Sequence, residues 1–299
     1  MPKMKIVEII GGLGNQMFQY ALALSLKKAF PAEQVKLDIS QYSTYRLHNG
    51  FELENIFGIK ADYASRQEIQ ALKFIFPNYK FSRFYRRLPS CFQKKTTCIE
   101  AQNMRWDSTV LTEPGDRYFS GYWQNYNYFS SVKEDICKAY SFPEFEDDRS
   151  RETAAEMLRN PLSVGIHVRR GDYVKDPLFR DICTKKYFIN ALSRLPGGVS
   201  GRRFYLFSND RTWCEKELLP LLPPESAVFI DWNRGKQSFR DMQLMTLCNS
   251  LILSNSTFSW WGAYLNVNKS PLIIAPEKWL NIELAVSLLL PEWKSVPIQ

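Results

Sequence analysis

The chain reads as an α/β protein of two Rossmann-like βαβ domains facing a central cleft, and three observations carry that expectation. The segment Lys5 to Ile39 spells strand, glycine loop, helix, strand. After Pro161, short apolar strands alternate with helical stretches, the pattern of a parallel sheet covered on both faces. At 299 residues, with 45% hydrophobic and 23% charged side chains, the chain has the length for two cores and a globular composition.

In order, a strand from Lys5 to Ile10 enters Gly11-Gly12-Leu13-Gly14. A helix follows over Asn15 to Phe30, where Met17, Ala21, Leu24 and Ala29 recur at roughly helical spacing, and Val35 to Ile39 is the next strand. From about Gln41 to Phe129 the pattern breaks up and no element is assigned. Aromatic and basic residues crowd together there, as in Phe81-Ser82-Arg83-Phe84-Tyr85-Arg86-Arg87 and Tyr122-Trp123-Gln124-Asn125-Tyr126-Asn127-Tyr128. An acidic stretch, Glu144 to Glu152, leads into a helix through about Arg159 that Pro161 ends, dividing the chain into domains 1–150 and 151–299. The second domain then reads strand Leu162 to Arg169, helix Lys185 to Leu195, strand Arg203 to Phe207, helix Thr212 to Leu221, strand Ala227 to Ile230, helix Phe239 to Leu247, strand Ser250 to Leu253, helix Phe258 to Leu265 and strand Pro271 to Ala275.

Several classes are disfavoured at once. The opening apolar run Ile6-Val7-Glu8-Ile9-Ile10 is too short for a signal peptide, and no stretch of uncharged apolar residues is long enough to span a bilayer. A cytoplasmic protein, at most peripheral at the cytoplasmic face of a membrane, is expected. The six cysteines, Cys91, Cys98, Cys137, Cys183, Cys214 and Cys248, form no C-x-x-C pair, and two histidines cannot complete a zinc pattern. They read as reduced core thiols, with a Cys91–Cys98 bridge open only to an exported protein. The net charge of +8 suits an acidic partner, whether nucleotide phosphate, nucleic acid or anionic lipid. The basic residues are scattered and no nucleic-acid motif is present, so a non-catalytic nucleic-acid module ranks low and no nucleic-acid partner is expected.

In open α/β sheets, ligands bind beyond the carboxyl ends of the strands. Four polar clusters fall at such ends: Gly11 to Gln16, Arg169 to Tyr173, Ser208-Asn209-Asp210, and Ser254 to Phe258. In Val164-Gly165-Ile166-His167-Val168-Arg169, strand alternation turns Val164, Ile166 and Val168 one way and His167 with Arg169 the other. A guanidinium beside an imidazole can take an anion, and the arginine fork matches phosphate. Gly171 lets the chain turn and bring Asp172 back; a plain strand-end ion pair is the competing account. Ser256 and Thr257 open a helix whose free N–H groups favour an anion, although an ordinary N-cap uses the same residues. Gly12-Leu13-Gly14 followed by Met17, with Asp38 as a ribose carboxylate, offers a rival reading as an NAD- or FAD-dependent oxidoreductase. That reading leaves Arg169 and the serine cluster without a role.

With Gly11-Gly12-Leu13-Gly14-Asn15-Gln16-Met17-Phe18-Gln19-Tyr20-Ala21, the His167 to Tyr173 segment, and Ser256-Thr257-Phe258-Ser259-Trp260-Trp261-Gly262-Ala263-Tyr264-Leu265, the chain resembles the α-1,2-fucosyltransferases, glycosyltransferase family 11, and looks like a soluble bacterial member. The resemblance implies a GT-B type fold, with an acceptor side in 1–150 and a donor side in 151–299. It implies GDP-fucose as co-substrate with no separate cofactor, and transfer with inversion to the 2-hydroxyl of a galactose in an oligosaccharide or glycolipid. No metal is implied, in keeping with a sequence that has no Asp-x-Asp pair. Arg169 would then neutralise the leaving GDP with help from Ser256, Thr257 and Phe258, and His167 would add a nucleotide contact. Asp241 matches the aspartate that related fucosyltransferases use on the nucleotide side, though a helix-opening carboxylate accounts for it equally. Asn15 and Gln16 could reach donor or acceptor, and Tyr122, Trp123, Gln124 and Tyr126 could present surfaces to an acceptor sugar. Arg170 faces away from Arg169 and reads as a structural ion pair. Asp172 is the candidate general base, against the alternative that it only orients an arginine.

Overall fold

The computed structural model describes residues 3–44, 48–75, 92–285 and 287–299; the Phe81 to Arg87 cluster and Cys91 lie outside them. The chain divides into two compact units. One comprises Met1–Pro143 with Leu284–Leu288, the other Glu144–Glu283 with Leu289–Gln299. The junction therefore falls ahead of the expected 150/151 boundary, and a short downstream segment returns to the first unit, where the Ala285 N–H donates to the Asn103 carbonyl at 2.9 Å.

In the first unit, β1 (Met4–Glu8), β2 (Gln34–Asp38), β3 (Thr97–Ile99) and β4 (Arg117–Ser120) form a parallel sheet in the order β2-β1-β4-β3. Helix α1 (Leu13–Ala29) connects β1 to β2 and buries most of its apolar positions, including Leu13, Met17, Phe18, Ala21, Leu22 and Leu26. It starts inside the glycine loop, two residues earlier than the periodicity suggests, because Gly12 is extended and Leu13 already helical. Lys27 and Lys28 close it where the dipole favours cations. Two short helices, α2 (Leu53–Phe57) and α3 (Arg66–Leu72), follow β2; Ser65 and Glu68 form a capping box at the start of α3. Helix α4 (Lys133–Ala139) closes the unit.

The carboxyl end of this sheet carries a buried polar network. Lys73 Nζ donates to Glu8 at 2.6 Å and to the Tyr118 hydroxyl at 3.0 Å, and that hydroxyl donates to Asp38 at 2.6 Å. Asp38 is 2% exposed and also accepts the Ser40 N–H at 2.9 Å. The carboxylate that the dinucleotide reading needs for ribose is thus consumed inside the protein.

The second unit is a six-stranded parallel sheet in the order β10-β9-β8-β5-β6-β7. Its strands are β5 (Ser163–Val168), β6 (Arg203–Ser208), β7 (Ala227–Ile230), β8 (Ser250–Ile252), β9 (Leu272–Pro276) and β10 (Lys294–Val296). Helix α5 (Asp148–Arg159), capped by Asp147, precedes β5. Helix α6 (Lys185–Leu192) covers one face, where Val164, Ile166 and Val168 share a core with Tyr187, Phe188, Ala191 and Leu206. Helices α7 (Phe239–Met245) and α8 (Thr257–Tyr264) pack together, so closely that a side chain at Gly262 would lie 3.0 Å from Met245 Cβ. The helical stretch Arg211–Leu221 passes from an α turn through a π turn at Cys214–Leu218 into a 3₁₀ turn, as Pro220 cannot continue an α ladder.

Candidate active site

Strand β5 lies between β6 and β8, so the loop after Val168 has a neighbouring strand end on each side. From the β8 side, Ser254 Oγ accepts the Arg169 N–H at 3.0 Å and donates to the His167 carbonyl at 2.7 Å. From the β6 side, Asn209 Oδ1 accepts the Arg170 N–H at 2.8 Å. Gly171 then turns the chain at φ +39°, bringing Asp172 Oδ1 to 2.8 Å from the Arg169 guanidinium.

The two arginines part as alternation requires. Arg170 Nε pairs with Asp210 at 3.2 Å and its guanidinium lies 4.4 Å from the Trp213 ring centre, so Arg170 is held as structure. The Arg169 side chain is 30% exposed, half the figure for Asp172, and its guanidinium stands 5.3 Å from the Tyr173 ring. Tyr173 in turn stacks on Phe179 at 4.3 Å. Burial pushes the Tyr173 hydroxyl up to about 12, so it stays protonated and bonds with Ser256.

His167 is buried, its ring centre 6.0 Å from that of Phe258. Desolvation, reinforced by the Arg169 charge, lowers its pKa to about 3, so the imidazole is neutral at physiological pH. Its Nδ1 is buried without a hydrogen-bond partner among the described residues. Ser256 is the N-cap of α8 and accepts the Phe258 N–H at 3.3 Å; the first-turn N–H groups of Thr257 and Ser259 have no partner within the helix. A neutral imidazole, an accessible guanidinium and a helix N-terminus can together hold a phosphorylated ligand.

Asp241 sits in the first turn of α7, partly buried, where Asn233 Nδ2 donates to it at 2.8 Å. Desolvation raises its pKa to about 7 despite that bond. Asn233 belongs to Asp231-Trp232-Asn233 after β7, a fifth strand-end cluster that the sequence reading passed over. Asn233 is the neighbour of Asp241 that the sequence does not flag, whereas Tyr173 falls within a flagged cluster without a role assigned to it.

In the first unit the glycine loop brings Asn15 and Gln124 together, with Gln124 Nε2 donating to Asn15 Oδ1 at 2.9 Å. Gln16 is corrected. It is fully buried, donates to the Gly11 and Gly50 carbonyls at 3.0 and 2.8 Å and accepts the Glu52 N–H at 2.9 Å, so its amide fastens the loop and is spent there. Trp123 is corrected as well. At 1% exposure, edge-on to Phe119 and Tyr128, it is core and offers no sugar-stacking face. Tyr122 is half-buried, and its N–H donates to Glu100 at 2.7 Å. The ring of His48 closes over Gly12, where an added Cβ would lie 3.3 Å from it; only its rarity, one of two histidines, could have flagged it.

The sequence profile of the family described as Glycosyl transferase family 11 matches residues 2–296. The chain is a family 11 glycosyltransferase. It is 31% identical over 284 residues to an alpha-1,2-colitosyltransferase of Escherichia coli, covering 93% of each chain. It is 26% identical over 298 residues to the O-antigen biosynthesis glycosyltransferase WbnK of the same species, covering 95% of this chain and 97% of that one. A galactoside alpha-(1,2)-fucosyltransferase 2 of Rattus norvegicus is 25% identical over 310 residues, covering 97% of this chain and 76% of the relative. Among solved structures, NodZ alpha-1,6-fucosyltransferase soaked with GDP-fucose superposes with a TM-score of 0.48 at 15% identity, covering 89% of this chain and 93% of that one. Membership removes the oxidoreductase and nucleic-acid readings. Among the described residues of this glycosyltransferase, no group of three or more His, Cys, Asp or Glu is placed to hold a metal ion, and no helix is long and apolar enough to cross a membrane. The thiols of Cys183, Cys214 and Cys248 are buried and free, and burial raises the pKa of each.

Proposed function

We propose that this family 11 glycosyltransferase moves L-fucose from GDP-fucose to the 2-hydroxyl of a galactose in a glycan, with inversion at the fucose anomeric carbon. One observation carries the reading. An arginine open to solvent stands at a strand end beside a buried imidazole with an unsatisfied nitrogen, next to a helix N-terminus. Arg169 and the first turn of α8 take the diphosphate, and their charge stabilises GDP as the bond to fucose breaks. His167, neutral throughout the working range, gives the nucleotide a hydrogen bond without adding charge. Asp241 accepts from guanine N1–H and the 2-amino group, donors that adenine does not offer in that arrangement. Asn15 and Gln124 are the acceptor-side contacts. Asp172 is already committed to Arg169, which lies on the leaving-group side, while inversion needs the proton removed from the opposite face. Its carboxylate therefore orients the guanidinium.

The diphosphate is neutralised by protein groups alone, so transfer survives EDTA; complete loss restored by Mn²⁺ or Mg²⁺ would overturn that part. The deciding experiment offers GDP-fucose and a β-galactoside and reads the product linkage by NMR. A new α-1,2-fucosyl linkage is expected. A second donor is favoured by the 31% identity to the colitosyltransferase, so a GDP-linked colitose is run in parallel. Transfer of colitose with none from GDP-fucose would reassign the donor and leave the nucleotide site intact.

A further inference from the structure

We infer that Ser254 and Asn209 are a pair of positioning residues that aim Arg169. The backbone ladder between β5 and β8 ends at Ile166 and Ile252, and the Leu253 carbonyl turns away to accept the Tyr187 hydroxyl. Past that point the side chain of Ser254 replaces the ladder. It is wholly buried and uses its hydroxyl twice, accepting the Arg169 N–H and donating to the His167 carbonyl. A serine hydroxyl offers one donor and two acceptor sites, so it can bridge both groups at once. The same Ser254 holds the helix side of the site through its carbonyl, which accepts the Ser256 N–H at 2.8 Å and the Ser259 hydroxyl at 3.3 Å. One residue thus ties the backbone of His167 and Arg169 to the first turn of α8.

Asn209 completes the arrangement from the opposite strand. It takes the next backbone N–H, that of Arg170, and lies so close to the turn that a Cβ on Gly171 would be 2.6 Å from its Nδ2. Consecutive N–H groups, at Arg169 and Arg170, are therefore held by side chains from the strands on either side. Neither residue needs to touch the ligand. Their effect is on where the Arg169 guanidinium points, and a misplaced donor in a preorganised anion site loses binding and rate together.

The inference rests on Arg169 being the diphosphate contact, and the test separates the two. GDP binding is titrated calorimetrically, to millimolar GDP, for wild type, Arg169→Ala, Ser254→Ala, Asn209→Ala, and each of the last two combined with Arg169→Ala. Thermal midpoints are recorded for every protein. Ser254→Ala and Asn209→Ala should each weaken GDP binding roughly tenfold in the wild-type background, as for loss of a positioned charged hydrogen bond. In the Arg169→Ala background the same changes should matter less than about twofold, because the residue they act through is gone. Equal losses in both backgrounds, or no loss in either, would overturn the inference while leaving Arg169 as the diphosphate contact. Wild-type affinity in Arg169→Ala would overturn both. Asn209 is exposed, so its alanine variant keeps the test readable if Ser254→Ala does not fold.

Discussion

Protonation of Asp241 should set the pH dependence of donor binding. Its carboxyl is raised to about 7 by burial, even though Asn233 donates to it. If guanine N1–H and its amino group both donate to this residue, only the ionised form binds well. A carboxyl with a pKa of about 7 is ionised roughly 3% at about pH 5.5 and roughly 90% at about pH 8, so GDP affinity should rise about 30-fold across that interval. The β-phosphate of GDP also titrates in this range. Asp241→Asn supplies the correction, because it shares the phosphate contribution and has no carboxyl to ionise. Calorimetric Kd values for both proteins across the interval, taken as a ratio, isolate Asp241. Inosine diphosphate, which lacks the amino group, should bind wild type more weakly by the worth of one hydrogen bond to a charged group, roughly tenfold or more. A pH dependence identical in wild type and Asp241→Asn would refute the reasoning. Folding stability gives a second, independent sign. The folded protein holds a proton that the unfolded chain releases above its ordinary value of 3.8, so the Asp241 contribution falls as pH rises from about 4 to about 7.

Arg169→Ala should lower transfer by roughly 10²–10³ with little change in thermal midpoint, the range seen when one preorganised donor to a developing charge is removed. Arg170→Ala should act on stability instead, through the lost Asp210 pair and Trp213 contact; a folded, inactive Arg170→Ala beside an active Arg169→Ala would reverse their roles. Asp172→Asn should weaken GDP binding and reduce transfer in parallel, since it loosens Arg169. Unchanged GDP binding with abolished transfer would instead make Asp172 the base. Gln16→Ala should cost about 1–3 kcal/mol of stability by stranding the buried Glu52 N–H, measured by denaturant unfolding. Normal stability with lost substrate affinity would restore Gln16 to the binding surface.

The regular half of the chain is legible because β5, β6 and β9 are strands of five or six residues rich in apolar side chains and separated by helical stretches. The strands that escaped reading are β3, β4 and β10, Thr-Cys-Ile, Arg-Tyr-Phe-Ser and Lys-Ser-Val, in which polar residues break the apolar run, whereas the equally short β7 and β8 sit in the regular alternation of strand and helix. In the site, residue types at strand ends were readable, and so was the division between Arg169 and Arg170. What each amide and hydroxyl is bonded to was not. Gln16, Asn209 and Ser254 each bond to a backbone N–H that lies 36, 39 and 85 residues away, respectively, and no local pattern encodes those bonds. Trp123 shows the same limit. In a broken aromatic stretch it reads as a platform, yet its indole is buried edge-on to Phe119 and Tyr128.

The return of Leu284–Leu288 to the first unit bears on how members of this family can be recombined. The two units are not successive blocks of sequence, so a single crossover cannot exchange one of them whole. A chimera joined at Pro143 would pair one parent's first unit with the other parent's Leu284–Leu288, and the Ala285 bond to Asn103 would join mismatched sequences. Grafting the first unit intact requires carrying both segments, and a fragment ending at Pro143 lacks part of its own fold. Over evolutionary time the same interleaving would make the two units inherit together, so that each diversifies by substitution within one lineage more readily than by shuffling between lineages.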